Sequence, residues 1–536
     1  MIIPELRLLV YMLPAAYLLY QAGLVIYNLY FHPLAKFPGS KLAAATSWYE
    51  FYFDYWLEGQ YIFEIERMHK KHGPVIRINP EEVSIHDADF YNELYVTESK
   101  RRTNAYDIFC KGIDFDGSHL LTADHDLHRR RRKPLEPFFS RMGISRLQPM
   151  VAEVALHLET RIRDLKGSGR VIRLDHAFSA FSGDIIGRIC LDDGPNGSRF
   201  LDDPDFSPEW YDVIHSIVRS IPLFTGFPWL VRVLSLVPER VLLWAYPRGQ
   251  MFNIFKRRAK QHIQRAMKSV APVTALNEKG PSNTILKNTG GEEEAYSLFH
   301  HIVNSDMPSS ERSEERLAKE AQVLLGGGTA STARTIGFAA FYILSRPAIR
   351  TKLEAEVRQP MAGWPGKAPT WAELEKLPFL QAIIKESLRL SYGVMHRLPR
   401  VSPDVPIQYG GGSYTVPPGV PVGMSAYLMH SDPAVFPSPS EFIPERWISD
   451  DEPPLRGSGG IAAMNRSYVP FCRGSRNCLG MNLAMAEMSL ILAVLFRPNG
   501  PDFELFETDE SDVRQAHDFL IPLPKITTKG VRALIR

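Results

Sequence analysis

Cys478 stands in the run Phe471-Cys472-Arg473-Gly474-Ser475-Arg476-Asn477-Cys478-Leu479-Gly480. The residue types around it suit a sulfur that donates to a metal. The thiolate is the ligating form of cysteine. It is a strong donor that must be held in a dry site. Phe471 is placed to exclude water. Gly474 permits a turn that aims backbone N–H groups at the sulfur, and such hydrogen bonds tune a metal ligand. Arg476 adds a cation suited to a carboxylate. Gly480 lets the backbone pass close to whatever the sulfur binds. Beyond it, Leu479, Leu483, Ala486, Leu490 and Val494 recur at three- and four-residue spacing. That spacing predicts a helix with Cys478 near its N-terminus, where the dipole favours the thiolate. A buried free cysteine beside a turn is the plain alternative, but it would not ask for Phe, Gly and Arg at these offsets. Cys472 fits no ligand position and is a spectator.

Written as F-x-x-G-x-R-x-C-x-G, the run resembles the thiolate loop of the cytochrome P-450 family. The resemblance implies haem b as cofactor, with Cys478 as the axial ligand to its iron. It implies that Phe471, Gly474 and Gly480 shape the sulfur side of the macrocycle and that Arg476 meets a haem propionate. A thiolate pushes electron density onto iron and favours O–O cleavage. The implied fold is mainly α with small β-sheets.

Several elements must position such a loop. Glu386-Ser-Leu-Arg389 places two charges on one helix face. Glu64-Ile-Glu-Arg67 matches the same E-x-x-R pattern, but only the later pair is followed by Pro399-Arg400 and then Pro444-Glu445-Arg446-Trp447. By resemblance, Glu386, Arg389 and Arg446 form a buried structural network behind the haem. The run Asp124 to Lys133 is a basic helix, mostly a solvated charged face, on which His125, His128 and Arg132 share one side. His128 and Arg132 match the family's W-x-x-x-R, with histidine in place of tryptophan, and are assigned to the haem propionates. No partner cluster supports a metal site at His125 and His128.

A second helix is expected from Ser313, which is placed to cap it, with Glu314 and Glu315 in the first turn. It carries Gly326-Gly327-Gly328-Thr329-Ala330-Ser331-Thr332. Glycine inside a helix costs about 1 kcal/mol relative to Ala, so three in a row need a reason. Local opening over a haem face would give one; a helix crossing or a break would give another. The segment resembles the family's oxygen-binding groove, A/G-G-x-D/E-T-T/S. Ala330 replaces the usual acid and Ser331 the usual threonine. Ser331 and Thr332 are the candidate catalytic hydroxyls, and the proton route lacks its carboxylate.

The chain has 536 residues, a formal net charge of +2 and four cysteines. This excludes a nucleic-acid module, which wants a strongly basic domain, and a disulfide framework. Cys110, Cys190 and Cys472 read as reduced thiols. Residues 8–27 are apolar enough to span a bilayer, so residues 1–31 are expected to be a membrane anchor. Lys36 and Lys41 follow it and place the bulk of the chain in the cytosol. The sequons at Asn196 and Asn465 would then go unused. Residues 32–42 are expected to be an extended, proline-rich hinge, resembling that of microsomal members from filamentous fungi. Residues 43–536 form one haem-thiolate catalytic domain, with strand-like runs at 75–78, 83–86 and 407–422 and a hairpin turn at Gly410-Gly411-Gly412. Residues 277–291 read as a surface loop, and Gly457 to Ala462 as loop rather than a dinucleotide site.

With no nicotinamide or flavin motif, the protein must take electrons from a partner. The resemblance implies NADPH–cytochrome P-450 reductase, with cytochrome b5 as a further donor, at the endoplasmic reticulum membrane. The apolar, aromatic stretch from Trp210 to Met251 reads as a lid over an access channel, part of it core. Phe109, Ile113, Phe115, Val394, Met395, His396 and Phe519 would line the pocket by resemblance. The substrate expected is a lipophilic small molecule. The C-terminal run from Phe506 to Pro524 resembles fungal biosynthetic members that oxygenate trichodiene, which points to a terpenoid or polyketide. The expected activity is a monooxygenase. A reductase-independent isomerase or dehydratase of the same fold, favoured by Ala330, and a non-enzymatic haem sensor are the alternatives.

Overall fold

An apolar helix leads the chain. In the computed structural model, which describes residues 4–106, 117–191, 199–245, 256–257, 259–261, 263–264, 267, 298–448, 456–457 and 459–536, helix α1 (Pro4–Ile26) runs through Pro14 into a π-helical turn at Tyr27–Phe31. The segment Tyr11–Phe31 has mean hydropathy 1.2 and none of it is buried, so by length and composition it can cross a membrane. The connector after it is not extended. Pro33 takes the second position of a turn closed by Ala35 N–H donating to His32 O at 2.8 Å, and a second turn closes from Phe37 to Leu34. Proline presets the φ of that turn position, and Leu34, wholly buried, holds the segment down. Arg77 ties it further by donating to Asn28 O at 2.7 Å.

The helices that frame the site are α2 (His125–Arg132), α3 (Arg141–Arg163), α4 (Leu174–Leu191), α5 (Pro208–Gly226), α6 (Glu314–Ser345), α7 (Pro378–Ser391) and α8 (Met481–Leu495). Asp124 caps α2 by accepting Leu127 N–H at 2.8 Å, and Ser140 caps α3 by accepting Gly143 N–H at 3.0 Å. Both follow the usual preference for short oxygen side chains at this position. Ser313 does stand at the N-cap of α6, but its side chain makes no capping bond. One apolar core joins Phe178 and Ile185 of α4, Ile336 and Phe338 of α6, Ile383 of α7 and Ile491 of α8.

Helix α6 has 32 residues and so spans ~48 Å. It stays helical through its three glycines, without the local opening the sequence suggested. The glycines do different things. A Cβ on Gly328 would lie 2.7 Å from Ile186 Cγ1 of α4, so this glycine is a close helix crossing. A Cβ on Gly326 or Gly327 would meet no atom within 4 Å.

Four small sheets complete the fold among the described residues. The largest has strand order β1-β2-β8-β5-β3, built from β1 (Val75–Arg77), β2 (Val83–Ile85), β3 (Asn104–Ala105), β5 (Arg400–Val401) and β8 (Pro421–Gly423). β4 (Ile172–Arg173) pairs with β12 (Arg532–Ile535), which pairs with β9 (Phe503–Leu505). β6 (Ile407–Tyr409) and β7 (Tyr414–Val416) form a hairpin about Gly410–Gly412. β10 (His517–Phe519) and β11 (Ile521–Leu523) form another. The run at 457–462 is not wholly loop: a helix, Gly460–Ser467, begins in it.

Glu386 and Arg389 on α7 are fully buried, as is Arg446 in the turn Pro444–Trp447. Arg389 clasps Glu386 with two bonds of 2.8 and 2.9 Å, and Arg446 Nε donates to it at 3.1 Å. The Trp447 indole at 2.9 Å and Ile443 N–H at 3.0 Å fill the remaining lone pairs. Arg389 also reaches the carbonyls of His430, Pro439 and Glu441. Burial alone would push the Glu386 carboxyl up; the two guanidinia outweigh it and hold the group below the ordinary range. The other E-x-x-R is a surface pair, with Arg67 at 2.6 Å from Glu64 and two-thirds exposed.

Glu487 on α8 has no such partners. It is buried, neither carboxyl oxygen makes a hydrogen bond, and Ser182 of α4 lies beside it out of bonding geometry. Burial pushes its carboxyl well above the ordinary range.

Two outcomes follow. Glu386→Ala leaves two buried guanidinia without their carboxylate and costs about 3–5 kcal/mol; the yield of haem-loaded protein, read from the ratio of Soret to protein absorbance, is expected to collapse. A normal ratio would refute the structural role. Burial raises the Glu487 carboxyl above its unfolded value, so its contribution is fully present below the unfolded carboxyl pKa and is lost as pH rises through the folded one. Glu487→Gln should flatten the dependence of stability on pH above the unfolded carboxyl pKa and raise stability at the alkaline end. Denaturant titrations at several pH values check this, and an unchanged slope would sink it.

Candidate active site

The cysteine loop is closed by its own backbone. Cys478 N–H donates to Phe471 O at 2.9 Å, and Asn477 N–H to Gly474 O at 3.2 Å. Gly474 has φ 77°, and a Cβ there would lie 2.4 Å from Val96 O. Glycine is therefore required by a close approach of the Tyr95–Val96 backbone, to which Ser475 N–H also donates at 3.0 Å. Phe471 packs against the main core. Gly480 stands at the N-cap of α8, and its N–H serves the Cys478 sulfur. Cys472 has φ 56° and lies 3.9 Å from Arg400 Nη2.

Cys478 is exposed on its loop. Burial pushes its thiol up, against the Gly480 N–H and the Arg132 charge, which favour the thiolate. A metal cation at the sulfur would favour the thiolate further.

Helix α2 brings His128 and Arg132 to this loop. Arg132 donates to Asn477 O at 2.6 Å, to Asn477 Oδ1 at 2.8 Å and to Glu136 at 3.2 Å. Arg476 reaches back to the start of α2, donating to Thr122 O and Ala123 O at 2.7 Å each. Both guanidinia thus bind protein oxygens and lock loop to helix, a role the motif spacing did not reveal. His128 is buried and its Nδ1 has no partner. Burial, then the Arg476, His119 and Arg132 charges, lower its pKa to about 2. The imidazole is neutral and sits in a positive field that suits an incoming carboxylate.

On α6, Ser331 donates to Gly327 O at 3.2 Å and lies on the open face that Gly327 shares, one turn away. Thr332 is buried. Thr335 bonds Ser391 of α7 at 2.9 Å and links the two helices. Of the expected lining, Val394 and His396 are half-buried, and Met395 is wholly buried in a separate apolar cluster. His396 pairs with Asp518 at 3.1 Å. Phe519 packs with Val218 and Ile221 of α5. Phe109, Ile113, Phe115, Asn196, Cys110 and residues 277–294 lie outside the described residues. Trp210 and Ile214 of the lid stretch are core. Its later part is surface, with Trp229, Leu236 and Trp244 at 58, 83 and 84% exposure.

These features fit a haem. Cys478 is exposed on its loop, glycines at 480 and at 326–327 present no side chain, and an imidazole with an orphaned nitrogen lies among cations. No group of three or more His, Cys, Asp or Glu able to hold a bare metal occurs among the described residues.

The cytochrome P-450 family profile matches residues 46–527. The chain is 50% identical over 519 residues to the cytochrome P-450 monooxygenase oblB of Aspergillus clavatus, covering 96% of this chain and 95% of that protein. It is 48% identical over 511 residues to the fusicoccadiene C-8 hydroxylase of Phomopsis amygdali, with 95% and 93% covered. It is 42% identical over 545 residues to the stellatic acid synthase of Emericella variicolor, with 97% and 94% covered. Similarity of this depth runs the length of a chain in which Cys478 carries the thiolate motif, and this protein belongs to the cytochrome P-450 family, as a haem-binding monooxygenase.

Proposed function

We propose that this monooxygenase inserts one oxygen atom into a C–H bond of a polycyclic terpene hydrocarbon. The support for the substrate is the similarity to the fusicoccadiene C-8 hydroxylases of Phomopsis amygdali and Alternaria brassicicola. The support for the site is Cys478, exposed on its loop. Cys478 would hold the haem iron through its sulfur; Phe471, Gly474 and Gly480 would shape the loop around that sulfur; His128, Arg132 and Arg476 would meet the haem carboxylates. Bound there, haem supplies dioxygen activation and the oxidising power for insertion. The chain supplies the rest. The Gly480 N–H steadies the sulfur's charge. Gly326 and Gly327 leave room above the ring for a bulky hydrocarbon. Ser331, half-buried on that face, is the hydroxyl that passes protons; Thr332, buried beside it, shapes the helix wall.

Electrons come from NADPH–cytochrome P-450 reductase, with cytochrome b5 as a further donor. Arg130 and Lys133 are exposed on α2 without an ion-pair partner among the described residues, and suit an acidic reductase surface. The enzyme sits on the endoplasmic reticulum membrane, anchored once by α1, with its catalytic domain in the cytosol.

Two measurements test this reading. In the reduced carbon monoxide spectrum, the wild type should show the red-shifted band of a thiolate ligand and Cys478→Ala should lose it; a band that survives the substitution refutes the ligand assignment. Membranes bearing the enzyme and reductase should convert fusicoccadiene to a product one oxygen heavier only when NADPH is present. Turnover without NADPH would overturn the monooxygenase reading of this substrate, and no turnover would overturn the substrate class.

A further inference from the structure

Ala330 does not face the open side of α6. With Ala333, Arg334 and Phe338 it lines a cavity of about 30 Å³ on the neighbouring face, against α5 and the C-terminal sheets. That volume holds one or two waters. Its wall is mixed: among apolar side chains, Asp175, Tyr211, His215, Arg334 and Asp512 border it. The methyl group of Ala330 leaves space where the related motif carries a carboxylate.

Two groups in this wall call for water. Arg334 donates to Val513 O at 3.2 Å, but its buried Nε has no partner. No carboxylate lies within ion-pair distance of Arg334 among the described residues. His215 sets its Nδ1 2.8 Å from Tyr211 O. A carbonyl can only accept, so Nδ1 carries the proton and Nε2 offers a lone pair. No hydrogen bond to Nε2 occurs among the described residues. Burial, opposed by the Tyr211 carbonyl and reinforced by Arg173 and Arg334, lowers the pKa of His215 to about 4. A neutral imidazole can both take and return a proton. On the outer side, Asp512 accepts from Thr528 at 2.6 Å and lies 3.3 Å from Lys525, whose side chain is 39% exposed. Asp175 accepts Val531 N–H at 2.8 Å and is itself partly exposed.

We infer that His215 and the water beside Ala330 take the place of the absent carboxylate and supply protons to Ser331. The inference rests on the haem-thiolate reading above. Nε2 takes a proton from cavity water, which is replenished from the Asp512 and Asp175 side. It returns that proton to a water reaching the Ser331 hydroxyl, one residue along the helix. The hydroxyl gains it and releases its own toward the open face. No electrons move, and each group ends as it began.

The test uses holoenzyme with reductase. NADPH oxidation is followed without added substrate, since unproductive turnover to peroxide consumes the same protons. His215→Phe and His215→Gln are expected to slow it by about tenfold or more and to enlarge its solvent deuterium effect, with the carbon monoxide band intact. Ala330→Asp in the His215→Phe background should restore most of the rate, which a merely structural histidine would not allow. A crystal structure should show water within ~3.2 Å of His215 Nε2. Wild-type rates in both variants, slowing without rescue, or a dry cavity would each overturn the relay. Absence of the thiolate band in the wild type would instead remove the haem reading, and the relay with it.

Discussion

A carboxylate with no exposure to water is a liability unless every lone pair is taken, and Glu386 meets that condition with two guanidinia, an indole and a backbone amide. Opposite charges meet within one cluster, where the low dielectric strengthens the contacts, and the surplus guanidinium charge is spread over main-chain carbonyls. The cluster also joins distant stretches of chain. Arg389 belongs to α7, Arg446 to the turn before the cysteine loop, and the carbonyls Arg389 reaches lie between them. Through His430, whose ring bonds both Arg389 O and Val469 N–H, the network continues to the residues leading into Phe471. The sulfur can be left uncovered because the backbone that carries it is fixed from behind.

A second set of cations works from the front. Arg132 and Arg476 cross between α2 and the loop in opposite directions, each ending on main-chain oxygen. Glu136 accepts from Arg132 among the described residues. Rigid placement and cationic charge beside the loop therefore arise from the same contacts. Burial first, and then these cations, lower the pKa of His128 between them.

Much of this was legible in the residues because the constraint was local. Cys478, Gly474, Arg476 and Gly480 are held at fixed offsets by one short loop, and Glu386 and Arg389 by one helix turn. Context in the chain, not the pattern, distinguished that pair from Glu64 and Arg67. What escaped depends on packing between distant segments. Glu487 looks like an ordinary polar position on a helix until α4 covers it. The connector after α1 reads as extended from its prolines, whereas the burial of Leu34 bends it into turns. The cavity beside Ala330 draws its walls from residues between 175 and 530, and no local spacing could assemble it. Opening of α6 was inferred from three glycines of one type, but their surroundings differ, and only one is a crossing point.

That difference governs how the enzyme can diversify. Gly328 is pinned by Ile186, so α6 and α4 hold a common distance whatever the guest. Gly326 and Gly327 carry no such restriction. A methyl group can be added at either without moving the scaffold, so these two positions tolerate change where the third glycine cannot.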